Sequence, residues 1–491
     1  MTARAIDEPH RSASPLELLF DLTFVVAVAA VTARYAHHVA DGHALTGLVP
    51  FLQVFFAVWW AWMNFTWFAS SYDTDDVPYR LLTMVQMAGV LVIAAGVPAA
   101  DGRSDYRAVA IGYLVMRTAL VAQWLRAGAE DPAGRRTALR YALGIAVAQA
   151  GWILWIVAAE AGALPSSAQV SCFALLAVLE LAVPRWAERA APTAWHPHHI
   201  AERYGLFTLI LFGESVLAAS SGVGSALDEA GPGRPLIVVA GSGLVLLFSL
   251  WWLYFLAPAG DGLDGRRHLS YLWGYGHYGI FAGLAVLGAG LEVAVEQTGH
   301  GLRASPLAIC YAVAVPTAVF VLLLWIVHRP LLAEPVPRPA VALCGAAAVL
   351  LLPLAAPRAG TVPVVAGIAA VCALMAGVTV ALGTGEKGAR PRPEPLSENV
   401  APAPRPARGS SRDAGQVSQK ARVGHTRAPS EGPERTGPSK GAPGTSSAFS
   451  GGGDGVGSPA AVPRAVRART SFRRRRARRR SAWRRRSSAC P

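Results

Sequence analysis

Lysine is absent from the first 383 residues of this 491-residue chain, and charge of either sign is scarce there. Over the whole chain 15% of residues are Asp, Glu, Lys or Arg, where a soluble domain carries about 25%. A surface so poor in charge does not face water on all sides, which excludes an ordinary soluble enzyme. Cysteine is sparse too: Cys172, Cys310, Cys344, Cys372 and Cys490, four of them in apolar runs and none at metal-ligand spacing. That pattern implies neither a disulfide framework nor a zinc site, and small buried hydrophobes is the reading that fits. A Walker loop, a nucleophile elbow and a metal pair are also missing. Nucleotide hydrolysis and common hydrolase chemistry therefore have no support, and no cofactor is expected.

What is present is hydrophobic length. The chain is 53% hydrophobic, with mean hydropathy +0.36. Apolar runs recur from residue 16 to residue 383, and runs of about 20 residues are long enough to cross a bilayer. The pattern predicts an all-α polytopic membrane protein. Its twelve spans fall near 16–36, 48–69, 79–99, 106–126, 138–159, 167–184, 200–220, 235–257, 271–294, 305–327, 340–356 and 361–383. Breakers such as "SSYDTDDVP", "EDPAGRR" and "AGDGLDG" separate them. The first run carries Glu17 and Asp21, and acids rarely interrupt a signal peptide's apolar region, so it reads as a retained span.

Arginine sets the expected orientation. With the N-terminus inside, thirteen Arg fall in or beside cytoplasmic segments and five in external loops. Both termini are then expected in the cytoplasm of a bacterial cell membrane protein.

An internal match suggests duplication. "ELLFDLTFVVAVAAV" from Glu17 and "ERYGLFTLILFGESV" from Glu202 both open on Glu and place Thr six residues on, at Thr23 and Thr208. "FAVWWAW" and "FSLWWLY" carry Trp59–Trp60 and Trp251–Trp252 in the following spans. An even number of helices per unit makes such a repeat parallel. The expected domains are a leader (1–15), a first six-helix repeat (16–184), a linker (185–199), a second repeat (200–383) and a tail (384–491), with a cavity shared between the halves.

The polar residues inside the spans carry the chemistry. Glu17 and Asp21 lie four apart and share one helix face. Two like charges there require a cation beside them or a proton on one. Arg203, in the matching helix, is the expected cation; for Glu17 the alternative is a simple helix N-terminal acid. Glu214 and Arg117 lie deep in their spans, about 21 and 16 Å along the axis from the entry residue. They could meet and neutralise one another, as a pathway, a proton relay or a structural pair. His277, Gln86 and Gln149 are polar candidates for the same cavity, although a lone intramembrane His is more often a packing residue. In "WHPHHIAERYG" the residues His199, Glu202 and Arg203 are placed on one face; the His spacing matches no standard metal site, and a pH-sensitive cluster is the better reading. The second span is crowded with Phe and Trp, which fits core packing or an aromatic pocket for a cation.

These segments resemble a known family. "PLELLFDLTFVVAV" and "HHIAERYGLFTLILFGESVLA" are similar to the two signatures of the bacterial low temperature requirement protein A family, over about residues 14–383. Glu17, Phe20, Asp21, His199, Glu202, Arg203, Gly213 and Glu214 match those motifs. The resemblance implies a many-helix bacterial membrane protein and names no reaction. A fainter likeness is to two-repeat, six-helix potassium channels with a Phe-Ser-Asp signature in the first helix; here Phe20 directly precedes Asp21.

The tail differs from the body. Residues 1–383 hold 21 Arg and 24 acids, whereas residues 384–491 hold 24 basic and 7 acidic residues, with eleven Arg between Arg469 and Arg486. Its Pro, Gly and Ser content offers no face to bury, so disorder is expected. Such a basic run attracts anionic lipid. Phosphate contact with nucleic acid lacks any sequence-selecting feature, and an inert or frame-shifted end is the remaining alternative.

The functions these features admit are three. One is a secondary transporter of a small solute or ion, proton-coupled through Asp21 or Glu214, along a path that also includes Glu17, Arg117, His199, Glu202, Arg203 and His277. The others are a cation channel and a non-transporting membrane scaffold or stress-response factor.

Overall fold

Ser14 starts the first helix with a reciprocal cap. Its hydroxyl accepts from the Glu17 amide at 3.3 Å, and its own amide donates to Glu17 Oε2 at 2.8 Å. This satisfies two donors that a helix N-terminus otherwise leaves free, and Pro15 follows at the first position, where its missing N–H costs nothing. The same logic opens the seventh helix, where His196 Nδ1 accepts from the His199 amide and Pro197 follows. Chain ends and turns thus explain part of the unusual "HPHH" run.

The computed structural model describes residues 1, 4, 12–103, 105–256, 259–332 and 336–389. Residues 390–491, which hold most of the basic tail, and Cys490 with them, lie outside the described residues. The helices are α1 (Pro15–Ala40), α2 (Ala44–Tyr72), α3 (Val77–Arg103), α4 (Arg107–Glu130), α5 (Arg135–Glu160), α6 (Ser166–Ala187), α7 (Pro197–Ala230), α8 (Arg234–Phe255), the short α9 (Ala259–Gly265), α10 (Ser270–Glu296), α11 (Pro306–His328), α12 (Pro339–Leu351), the short α13 (Ala356–Ala359) and α14 (Thr361–Ala389). Every regular element among the described residues is helical. Among the described residues, twelve helices are long and apolar enough to cross a membrane.

Two spans depart from their expected form. α7 has 34 residues, about 51 Å of helix against a hydrocarbon layer of about 30 Å, so it projects beyond that layer. The eleventh span is broken into α12, a 3-10 turn at Leu352–Ala355 and α13. Pro353 and Pro357 stand there, and proline removes a helical donor and crowds the preceding turn.

α1 packs against α2, α3, α7 and α10, and α10 also packs against α7 and α11. On α1 the period is helical: Phe20, Phe24 and Val28 are buried while Leu19, Leu22 and Val26 are exposed, as a helix with one lipid face requires. Close approach of α10 depends on glycine. A Cβ at Gly288 would stand 3.1 Å from the Ser215 Cα, and one at Gly290 would strike the Ala312 carbonyl. Small residues at such crossings let backbones touch where lipid gives no hydrophobic drive.

The segments matched in the sequence sit in different surroundings. Trp59 and Trp60 are buried, whereas Trp251 and Trp252 are exposed; Glu17 is buried, whereas Glu202 is exposed.

Candidate functional site

The first buried ion set joins α1 to α7. Arg203 Nε lies 3.0 Å from Asp21 Oδ2, and Nη2 lies 2.6 Å from Asp21 Oδ1. Arg203 Nη1 stands 2.8 Å from Glu17 Oε1, and His199 Nε2 stands 3.1 Å from the same oxygen. From α2, the Trp62 indole donates to Asp21 Oδ1 at 2.7 Å, and the Arg203 guanidinium donates to Thr66 Oγ1 at 3.4 Å. All four charged or titratable side chains are buried. Two carboxylates against one guanidinium leave one negative charge, and His199 is the next group against Glu17. An unpaired charge in such surroundings costs several kcal/mol, so the three elements are locked in register.

This confirms the geometry expected for Glu17, Asp21 and Arg203 and adds His199 to it. Glu202 does not join: it is exposed and accepts from the Ala13 amide at 3.4 Å. One residue along a helix turns the side chain by about 100°, so Glu202 points away from the face that Arg203 and His199 share.

The expected Arg117–Glu214 meeting is overturned. Arg117 pairs with Glu180 of α6, Nη2 to Oε2 at 2.5 Å. The Glu180 carboxylate also accepts from Trp60 Nε1 at 3.0 Å, Tyr113 Oη at 3.1 Å and Trp152 Nε1 at 3.2 Å. Similar depth is a poor guide because α4 packs among α2, α3 and α5, whereas α7 packs on α10 and α1. Glu180 is missing from the sequence-derived residues, although "AVLELAV" carries the same signal as Glu214, one acid in an apolar run. Glu214 is buried, and its Oε2 has no hydrogen-bond partner among the described residues.

His277 is held between two partners. Its Nδ1 lies 2.7 Å from the Trp273 carbonyl and its Nε2 lies 3.1 Å from Tyr254 Oη. A carbonyl only accepts, so Nδ1 carries the hydrogen and Nε2 receives the tyrosine's. Gln86 donates to Gln123 at 2.9 Å, a pair confined to α3 and α4.

Cavities lie on either side of the Glu180 set. On the side where α1 begins, a cavity of about 460 Å³ is lined by Asn64, Trp67, Trp124, Tyr141, Glu188 and Tyr271 among others. On the far side a small apolar pocket of about 60 Å³ is lined by Phe56, Tyr113, Gln149, Trp152 and Phe173, and it shares Tyr106, Trp155 and Ile156 with a pocket of about 210 Å³ at Glu160. None of these is lined by Glu17, Asp21, Arg203 or Glu214. At Asp21 and Glu17 the space between the carboxylates is taken by the Arg203 guanidinium, with the Trp62 indole beside Asp21.

Glu188 caps the end of α6. Its Oε1 accepts from Thr193 Oγ1 at 2.8 Å and Tyr141 Oη at 2.9 Å, and its Oε2 from the Thr193 amide at 2.7 Å. Burial pushes this carboxyl above its ordinary value, against the pull of those donors.

The helices and buried ion pairs define a multi-pass helical membrane protein. The chain belongs to the bacterial low temperature requirement A protein (LtrA) family, whose family model matches residues 12–381. It is similar to an uncharacterized protein of Rhizobium meliloti (strain 1021), 27% identical over 298 residues that cover 57% of this chain and 69% of that protein. No solved structure matches it.

Proposed function

We propose that this protein is a secondary transporter whose solute path runs along α2, α4, α5 and α6. One observation carries the reading. Each of the four helices presents, in the same order, a far-side pocket residue, a Glu180-set residue and a vestibule residue. On α2 these are Phe56, Trp60 and Trp67; on α4, Tyr113, Arg117 and Trp124; on α6, Phe173, Glu180 and Pro184. On α5, Trp152 serves the first two roles and Tyr141 the third. A buried ion pair between two cavities is a natural gate, since a bistable pair can be opened on one side at a time. Glu214, with its unpartnered buried oxygen, is the proton carrier in this scheme, because intramembrane carboxylates mark relays. The Arg203 set holds α1 and α7 together as the fixed frame. The arginine bias supports a cytoplasmic vestibule with both termini on the same side.

The test needs no known cargo. Single cysteines at Gln53 and Asn64, in a cysteine-free background, are labelled with an impermeant maleimide in oriented membranes. Imposing a proton gradient is expected to raise labelling at one site and lower it at the other, and Glu214→Gln to abolish the response. Labelling that ignores both the gradient and Glu180→Gln overturns transport. That outcome favours the scaffold, a reading supported by the full packing of the Arg203 set. An ohmic, ion-selective current in bilayer recording would instead favour the channel.

A further inference from the structure

The vestibule's wall is aromatic on several sides. Trp124 stacks on Tyr141 with centroids 4.1 Å apart and planes 6° apart. Trp67 meets Trp195 edge-on at 4.9 Å, and Tyr271 meets Tyr275 at 5.6 Å. The residues come from α2, α4, α5, α10 and the linker before α7, so ring faces and edges line the same space from different directions. The one carboxylate on the lining is Glu188, partly withdrawn from solvent.

The lining also shows how it treats a cation. The Arg267 guanidinium lies over the Trp195 ring, 5.0 Å from its centroid, and donates to the Trp195 carbonyl at 3.2 Å. Asp264 stands 3.5 Å from the same guanidinium. Arg267 is thus committed to neighbours at the mouth, and among the described residues no salt bridge joins a cation to Glu188. His268 lies on the same lining. Aromatic faces attract cations most strongly where water is excluded, and a buried carboxylate gains most from an opposite charge beside it.

We propose that this vestibule binds an organic ammonium ion with a bulky apolar body, its head beside Glu188 and its body against Trp67, Trp124 and Tyr271. A cavity of about 460 Å³ falls within the range of small-molecule sites. The inference names the cargo class of the transport reading and rests on that reading only for the step across the membrane; the binding stands apart from it.

Radiolabelled benzyltrimethylammonium is the probe, with benzenesulfonate as an anion of similar shape and the full-length protein in lipid nanodiscs. Saturable binding of the cation near one per chain is expected, with no saturable binding of the anion. Glu188→Gln is expected to weaken the cation about tenfold, and Tyr271→Ala by a similar factor. Tyr271→Phe keeps the ring and is expected to bind as the parent does, which separates loss of the ring from loss of fold. Arg267→Gln removes a like charge and is expected to tighten the cation severalfold, a direction that damage to the fold does not produce. Equal binding of cation and anion, absence of saturation, or indifference to Glu188→Gln overturns the proposal. Uptake of the same probe into proteoliposomes separates the two readings. Binding without uptake keeps the site and removes transport of this class; gradient-driven maleimide changes without binding keep transport and remove the site.

Discussion

Arg203 of α7 grips Asp21 of α1 at two points, Nε to Oδ2 at 3.0 Å and Nη2 to Oδ1 at 2.6 Å, across 182 positions of sequence. Fork-to-carboxylate pairing fixes orientation as well as distance. Both side chains are buried, so each is the other's solvation.

Breaking that grip on one side is expected to cost about 3–5 kcal/mol, because the surviving charge stays buried. Arg203→Gln should lower the unfolding midpoint in detergent far more than Glu202→Gln, whose exposed side chain is worth about 0.5 kcal/mol or less. In a double-mutant cycle, Asp21→Asn with Arg203→Gln should cost less than the sum of the two. Additive losses would show that the pair does not act as a unit.

The Arg117–Glu180 pair answers to the same logic with a different readout. Glu180→Leu strands Arg117 and two indole donors, and is expected to destabilise by about 3–5 kcal/mol. Arg117→Leu in the same chain should recover much of that loss. Thermal scans followed by size-exclusion chromatography measure both, and a Glu180→Leu protein as stable as the parent would remove the ion set from the fold.

Gly290 tests the helix crossing. Ala there drives a methyl group toward the Ala312 carbonyl, and overpacking of this kind costs about 1–3 kcal/mol. At Gly377 a methyl group would meet nothing within 4 Å, so Gly377→Ala is expected to be neutral or slightly stabilising. The comparison of the two midpoints isolates close approach from loss of glycine itself.

Acid sensitivity at the α2–α3 turn follows from Asp76. The Arg126 guanidinium, at 2.5 and 2.7 Å, holds its carboxyl at about 2, below the ordinary 3.8. A depressed carboxylate stabilises the fold above its unfolded value and loses that contribution as pH falls through its folded value. The contribution is thus whole above about pH 4 and lost toward pH 2. Asp76→Asn should flatten that part of a stability–pH curve. The pair is only half-buried, so the effect should shrink in high salt.

Much of this protein is legible in its residues, for reasons that are local. Twelve spans follow from apolar run length, because each run either buries in lipid or does not fold there. Ser14, Pro15 and Glu17 form a recognisable helix start. Asp21 is readable as needing a cation, since its cost in hydrocarbon does not depend on where the other helices lie. Arg203 is found through its place in a matching segment. Glu202 is misplaced by the same match, because one helical step separates a buried face from an exposed one, and a segment match does not record rotation about the helix axis.

What only the tertiary structure decided was partnership. Arg117 has two acids at comparable depth, and the choice of Glu180 over Glu214 follows from which helices are neighbours. The vestibule was equally hidden, as its rings come from four helices and a linker far apart in sequence. Composition and periodicity dictate that a segment is helical and at what depth a charge sits, because those costs arise residue by residue. Side-to-side order, rotation and cavities arise from packing between distant segments, where the free energy belongs to pairs that no single stretch of sequence contains.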